Sequence, residues 1–277
     1  MMDNLLKKQY IFYIVIIAMQ LVILSLLCFL LIGNPHVLYE SVPINMDERL
    51  VYMQELMDVI EEDVTNRKQI INVGAFRCDM ETFSDTITLV SFDNPLYSFY
   101  LNECRVMLHM NRYVRYVFPD YNVDDKIEYV TKKIDDITST VDVNMSDLDK
   151  VIWINDYICK NYAYDNTLMK DDIFDMISTG EGVCSSYAQL FTLLANNIGL
   201  ESSFAVSFSM MHAWNIVKID GCWYNIDVTW NDEVYRRCYI SSDKEMVLFH
   251  LNMRNLDNTI QFVACDDTRY DGIPLSK

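Results

Sequence analysis

The longest apolar run of the chain is Tyr10 to Ile32, "YIFYIVIIAMQLVILSLLCFLLI", broken only by the polar Gln20 and Ser25. As a helix it would extend about 35 Å at 1.5 Å per residue, enough for a hydrocarbon layer of roughly 30 Å. The pattern predicts one transmembrane helix. Lys7 and Lys8 precede it, whereas Glu40, Asp47 and Glu48 come before Arg49, the first basic residue that follows. Basic flanks stay in the cytoplasm, so residues 1–9 are expected inside and the remainder outside the cell. A cleaved signal peptide would carry a shorter apolar region, about 7–15 residues, ending in a small-x-small site. "IGNPHVLYES" provides no such site, and a retained single-pass anchor is the expectation.

Beyond the anchor, residues 33–145 alternate between periodicities. "MDERLVYMQELMDVIEEDV" and the stretch 124–139 have helical spacing, while "TITLVSF" and "YVRYVF" alternate as strands do. "DNPLYSFY" and "FPDY" read as turns, and polar "STVDVNMSDLD" as a connection between two regions. From Asp147 the helical pattern resumes, with Val151, Ile154, Ile158 and Tyr162 on one stripe. A second apolar stripe runs through Val183, Tyr187, Leu190, Phe191, Leu194 and Ile198, and Gly199 is placed to stop it in a left-handed cap. Next comes "HAWNIVKIDGCWYNIDVTW", two strand-like runs joined by Asp220-Gly221, a strong hairpin signal. A two-residue loop sets Ile219 opposite Cys222, Trp214 opposite Asp227 and His212 opposite Thr229. His212 and Asp227 then share a face as diagonal neighbours, within side-chain reach. Ala213, Val217, Ile219, Cys222, Tyr224, Ile226 and Val228 take the other face, where Asn215 is the polar exception.

Composition narrows the class of function. A chain of 277 residues that is 51 % hydrophobic can bury a substantial core, and 7 Gly with 5 Pro do not suggest disorder. The formal charge of −18 repels polynucleotides and anionic lipid, so no nucleic-acid partner is expected. Of the 8 cysteines, Cys28 lies within the apolar span. Cys78, Cys104, Cys159, Cys184, Cys222, Cys238 and Cys265 remain, an odd number, so at least one has no partner within the chain. Both free thiols and a disulfide are open to the others. No C-x-x-C or His-rich spacing marks zinc or a disulfide oxidoreductase. The paired acids Asp124-Asp125, Asp135-Asp136 and Asp171-Asp172 lack the spacing of a calcium loop, so no metal and no cofactor is expected.

One cysteine is set apart by its neighbours. Cys184 falls in the first turn of the helix predicted after Gly180 and Gly182, where uncapped N–H groups and the helix dipole favour thiolate. The same N–H groups suit an oxyanion. His212 and Asp227 supply what a thiolate nucleophile needs, an imidazole and a carboxylate that fixes its tautomer. Cys222 points to the opposite face of the hairpin and is no rival. His109 and His250 have no comparable surroundings and read as structural. Trp214 and Trp223 share the face of His212 and, with Trp230, are candidates for cleft walls or for packing.

"GEGVCSSYA", "HAWNIV" and "GCWYNIDVTWND", in this order, resemble the core of the transglutaminase-like superfamily, which shares its thiol chemistry and general architecture with papain-type proteases. "WINDYICKNYAYDN" resembles the helix and turn that precede the nucleophile in bacterial members. The likeness covers residues 147 to 241. It implies an α+β fold in which a nucleophile helix packs on an antiparallel sheet, with Cys184 as nucleophile, His212 as general base and acid, and Asp227 as orienting carboxylate. Ser185-Ser186 departs from the Gln-Gly of many bacterial members. The expected organisation is a cytoplasmic segment 1–9, a transmembrane helix 10–32, an extracellular α/β region 33–145 without a specific motif, and a catalytic core 146–277. The expected activity is acyl transfer or hydrolysis on a peptide or protein of the cell envelope, with hydrolysis favoured because bacterial relatives are often proteases or amidases. A catalytically silent binding module at the cell surface is the alternative.

Overall fold

Ser146 opens a helix where the polar connection ends: its hydroxyl accepts the Asp149 N–H at 3.1 Å and donates to the Asp149 carboxylate at 2.8 Å. The computed structural model describes residues 46–68, 70–72, 80–101, 104–105, 113–116, 123–208, 210–232, 238–249 and 259–275. The apolar run Tyr10–Ile32 lies outside them, as do Cys78, His109, "FPDY" and His250. Among the described residues no helix is long and apolar enough to cross a membrane.

The first half contributes α1 (Met46–Thr65), β1 (Ile70–Asn72), α2 (Met80–Asp93), the one-turn α3 (Ser98–Leu101), β2 (Cys104–Arg105), β3 (Tyr113–Tyr116) and α4 (Val123–Thr138). The second contributes α5 (Asp147–Asn161), β4 (Ala163–Tyr164), α6 (Ile173–Thr179), β5 (Glu181–Gly182) and α7 (Cys184–Asn197). Then follow β6 (Ser202–Ser207), β7 (His212–Ile219), β8 (Cys222–Ile226), the single turn α8 (Val228–Trp230), β9 (Ile240–Ser241), α9 (Asp243–Phe249) and β10 (Thr259–Gln261). The stripes expected from spacing are the buried ones. Val151, Ile154 and Ile158 of α5 and Tyr187, Leu190, Phe191 and Leu194 of α7 are all out of solvent. "DNPLYSFY" is a turn of 3₁₀ helix over Pro95–Tyr97 leading into α3, with Asn94 accepting the Leu96 N–H.

"TITLVSF" is a correction. Its alternation predicts a strand, but it lies within α2. Phe83, Thr86, Leu89 and Val90 are buried at helical spacing, and Phe83, Leu89 and Val90 form one apolar cluster with Met53, Leu56 and Ile60 of α1. The hydroxyls of Thr86, Thr88 and Ser91 donate to carbonyls four residues back, which satisfies them inside a helix. Burial against α1 outweighs the β preference of Thr, Ile and Val. That cluster runs without interruption from Met53 to Tyr270, so the apolar core is continuous across residue 145.

Five strands form an antiparallel sheet in the order β10-β6-β7-β8-β9. Asp220 at φ +49° and Gly221 at φ +84° are both left-handed, as a two-residue hairpin turn requires. Ile219 faces Cys222 and Asn215 faces Ile226, the register of that short loop. One face of β7 and β8, with Ala213, Val217, Ile219, Tyr224 and Ile226, lies in the main core with the residues of α7. The other places Trp214 and Ile216 with Ala205, Met246 and Cys265 in a smaller cluster. The ladder stops earlier than its pattern predicts. Trp214 does not face Asp227, nor His212 Thr229; His212 pairs with Ser207 of β6, and β8 ends at Ile226. Asp227 is the cause, because its Oδ1 accepts the Trp230 N–H at 3.0 Å and turns the chain into α8.

Candidate active site

Two glycines prepare the start of α7. Gly180, at φ +81°, is the left-handed cap that ends α6, and its N–H donates to Met176 O. Gly182 is needed for space: a Cβ there would stand 2.8 Å from Ser186 Cβ and 3.0 Å from Met176 Cγ. Gly182→Ala is therefore expected to destabilise the fold by about 1–3 kcal/mol through overpacking, read as a lowered midpoint in thermal unfolding. Val183, the N-cap of α7, makes no side-chain capping bond to the first-turn amides. Cys184 is the first residue of the helix, half-buried, with its Sγ 3.8 Å from the Met211 carbonyl.

A loop secures this helix start from the other side. The buried Asp165 carboxylate accepts from Thr167 Oγ1 at 2.6 Å, Thr167 N at 2.9 Å, Met169 N at 2.9 Å and Lys170 N at 3.0 Å. The Thr167 hydroxyl and those amides hold the Asp165 carboxyl down to about 2. The loop then offers carbonyls to the helix: Lys170 O accepts Val183 N at 3.1 Å and Ser186 Oγ at 2.9 Å, and Asp171 O accepts Ser185 Oγ at 2.9 Å. Ser185-Ser186, the departure from the motif, thus ties the start of the helix to the loop beside it.

The imidazole arrives from β7. His212 Nε2 lies 2.7 Å from Asp227 Oδ2, leaving Nδ1 as the second ring nitrogen, and Cys184 is near enough for its sulfur to interact with the ring. The structure therefore brings together Cys184, His212 and Asp227 from a helix start, a strand start and a strand end. Trp214 flanks the ring at 5.9 Å with an interplanar angle of 28°, and Trp230 at 6.1 Å and 43°. Trp223 stands instead against Lys218, whose Nζ is 5.5 Å from its ring centroid. Burial alone would depress the imidazole pKa, but the Asp227 charge and its hydrogen bond, with a smaller contribution from the neighbouring Cys184, push His212 up to about 10. Below that value the imidazole is protonated, beside both the Asp227 carboxylate and the Cys184 sulfur.

Buried amides, of which the sequence pattern singled out Asn215 alone, hold these parts in place. Asn231 N donates to Asp227 O at 2.9 Å, Asn231 Nδ2 donates to Asn155 Oδ1 of α5 at 2.8 Å, and Asn231 Oδ1 accepts Tyr239 N at 3.3 Å. Tyr187 Oη donates to Asp232 Oδ2 at 2.8 Å. Asn215, the exception on the apolar face, donates to Ala188 O and Thr192 Oγ1 of α7, which joins the histidine strand to the cysteine helix. Trp214 Nε1 donates to Asn225 Oδ1 at 2.8 Å. Asn155, Asn215 and Asn225 each interrupt an apolar run, "VIWINDY", "HAWNIV" and "CWYNIDV". That interruption was the available signal, since a buried amide must be paired.

Among the described residues Cys159, Cys184, Cys222, Cys238 and Cys265 are free thiols. Burial pushes Cys159 up to about 12 and also raises Cys238 and Cys265. A hydrogen bond with Asp267, together with burial, raises Cys222. Among the described residues no group of three or more His, Cys, Asp or Glu side chains is arranged to hold a metal ion.

Residues 134–228 match the model of a family described as the transglutaminase-like superfamily. Comparison with curated proteins found no match. Among solved structures, a TGase is 20 % identical at a TM-score of 0.30, over 38 % of this chain and 31 % of that one. A candidate cysteine protease from Cytophaga hutchinsonii is 21 % identical at a TM-score of 0.30, over 40 % of this chain and 43 % of that one. The chain spans less than half the length of either.

Proposed function

We propose, on the premise of the match of residues 134–228 to the transglutaminase-like superfamily, that the chain is a thiol enzyme acting on amide or peptide bonds. The observation that carries this reading is one imidazole hydrogen-bonded to Asp227 at 2.7 Å and close enough to Cys184 for the two to interact, with Cys184 Sγ 3.8 Å from the carbonyl of Met211, the residue before His212. Cys184 Sγ attacks the carbonyl carbon, and the oxyanion that forms is received by the first-turn N–H groups of α7, which Val183 does not cap with its side chain. The His212 imidazolium gives its proton to the departing amine as the C–N bond breaks, leaving a thioester on Cys184. His212, now neutral, takes a proton from water or from an acceptor amine, whose attack releases the acyl group and leaves the Cys184 thiolate beside the His212 imidazolium, the pair from which the cycle began. Water completes hydrolysis and an amine completes cross-linking; hydrolysis is the reading favoured here. Asp227 holds the imidazole in one tautomer and stabilises its charge throughout. This chemistry calls on no cofactor.

The setting is part of the proposal. With Lys7 and Lys8 on the cytoplasmic side of a helix over residues 10–32, the thiol would work outside the cell membrane on a peptide or protein of the envelope. Iodoacetamide near neutral pH tests the reactive sulfur directly. Cys184 is expected to be alkylated first, because Cys159, Cys222, Cys238 and Cys265 all have raised pKa values. Peptide mapping of the labelled protein reads the order. Equal sluggishness of all five would point instead to a silent binding module. Turnover of tagged wall peptides and of a casein-like acceptor, with and without a primary amine, separates hydrolysis from transamidation.

A further inference from the structure

Large apolar side chains left in water are informative when they gather at one place. Met211 is 87 % exposed, Met169 76 % and Leu168 64 %, the most exposed large apolar side chains described apart from Val143. All three belong to the two segments that border Cys184. Met211 contributes the carbonyl 3.8 Å from Cys184 Sγ and immediately precedes His212. Leu168 and Met169 lie on the loop organised by Asp165, directly before Lys170 and Asp171, whose carbonyls hold Val183, Ser185 and Ser186.

The backbone gives a second, independent observation. Among the described residues only Arg67, Leu168, Met211 and Asp220 combine a side chain with a positive φ. Asp220 belongs to the hairpin turn, where left-handed residues are required. Leu168, at +58°, and Met211, at +49°, are bulky residues in a region that favours Gly or Asn. Leu168 N donates to Asp165 O at 3.1 Å and Met211 N to Phe208 O at 3.3 Å, so each closes a turn that Gly or Asn would fill without strain, and each instead places a bulky apolar side chain in solvent. Strain of this kind persists where a site needs a side chain aimed in a particular direction.

We propose that Leu168 and Met211, with Met169, are the specificity-determining contacts of the site, selecting an acyl donor with aliphatic side chains on the residues flanking the scissile amide. This deepens the proposed function and rests on Cys184 being the reacting atom. Burying three exposed apolar side chains against aliphatic ones supplies the attraction, and their places on the two segments that border Cys184 direct it to the residues next to the reacting carbonyl. Acidic or strongly hydrated side chains at those positions are disfavoured.

Binding to the full chain carrying Cys184→Ala tests this without turnover. The probes are two blocked pentapeptides with a central alanine, flanked by leucines in one and by serines in the other, titrated by calorimetry. The leucine peptide is expected to bind at least fivefold more tightly. Leu168→Asn and Met211→Asn retain the left-handed backbone while removing the apolar group, and each is expected to weaken the leucine peptide at least threefold and leave the serine peptide unchanged. Neither should lower the thermal midpoint, and Leu168→Gly with Met211→Gly provides a second pair of variants if one does. Equal binding of the two peptides by the parent, or an undiminished preference in both variants, overturns the proposal. So does adsorption to neutral phosphatidylcholine vesicles that the variants abolish in the absence of any peptide preference, which would make the patch a lipid contact. Failure of the proposed chemistry looks different: the wild-type chain turns over no amide while the leucine preference and its loss in the variants persist.

Discussion

Replacing Cys184 by alanine is expected to lower kcat/KM on an amide substrate by about 10³-fold or more, since no covalent intermediate can then form. The fold should survive. Cys184 is half-buried at the first position of α7, and the helix is anchored by Tyr187, Leu190, Phe191 and Leu194 further along. Thermal unfolding of the variant should match the parent within about 0.5 kcal/mol, as for a substitution that opens no cavity. Cys184→Ser is expected to be nearly as inactive, because a hydroxyl beside this imidazole is a far weaker nucleophile than a thiolate. Rates from a peptide-release assay, set beside the melting curves, check both statements. Parent-like activity in the alanine protein would sink the covalent mechanism.

The second large effect belongs to Asp227. Its two oxygens have separate tasks: Oδ2 holds His212 Nε2 at 2.7 Å, and Oδ1 caps the Trp230 N–H at 3.0 Å. Asp227→Asn keeps an oxygen able to cap but removes the charge, so its loss of kcat, about 10²- to 10⁴-fold, isolates the electrostatic task. Asp227→Ala loses the cap as well and should unfold more readily by about 1 kcal/mol. The pH profile gives a sharper readout. His212 stays protonated up to about 10 because the Asp227 carboxylate overrides the effect of burial. Its proton is required for the departing amine, so the alkaline limb of activity should lie near that value in the parent. With Asn at 227, burial dominates and the limb moves to lower pH.

Stability follows the same sign. A histidine whose folded pKa is raised contributes stability that is complete below its unfolded value of about 6.5 and is lost as pH rises through about 10. Denaturant titrations between pH 6 and 10 should show that decline in the parent and a flatter course in Asp227→Asn.

Much of this site could be read along the chain. The stripe from Tyr187 to Leu194 and the hairpin at Asp220-Gly221 are local signals. An amphipathic helix needs one apolar face, and a two-residue turn needs residues that tolerate positive φ. Because side chains alternate strictly along a strand, the turn also determined which residues share a face with His212 and which join the core. "TITLVSF" shows the limit of that reading. Thr, Ile and Val favour strands in isolation, and only the apolar side of α1, distant in sequence, makes a helix the lower-energy choice.

Other features depended on contacts between separated segments. The pairing of Asn231 with Asn155 spans 76 residues, and that of Asn215 with Ala188 spans 27. An amide that interrupts an apolar run signals that it is buried and must be paired, but nothing local says with which distant group. The end of β8 at Ile226 was likewise undecided by alternation, since the pattern continues past it and a capping bond at Asp227 prevails. The chain by itself determined the helix that begins at Cys184 and the strand that begins at His212, because each is set by the spacing of near neighbours. Only the tertiary structure decided that Cys184, His212 and Asp227 come together, because the free energy of that arrangement lies in burial shared between distant segments, and that Leu168 and Met211 are left exposed on the segments bordering Cys184.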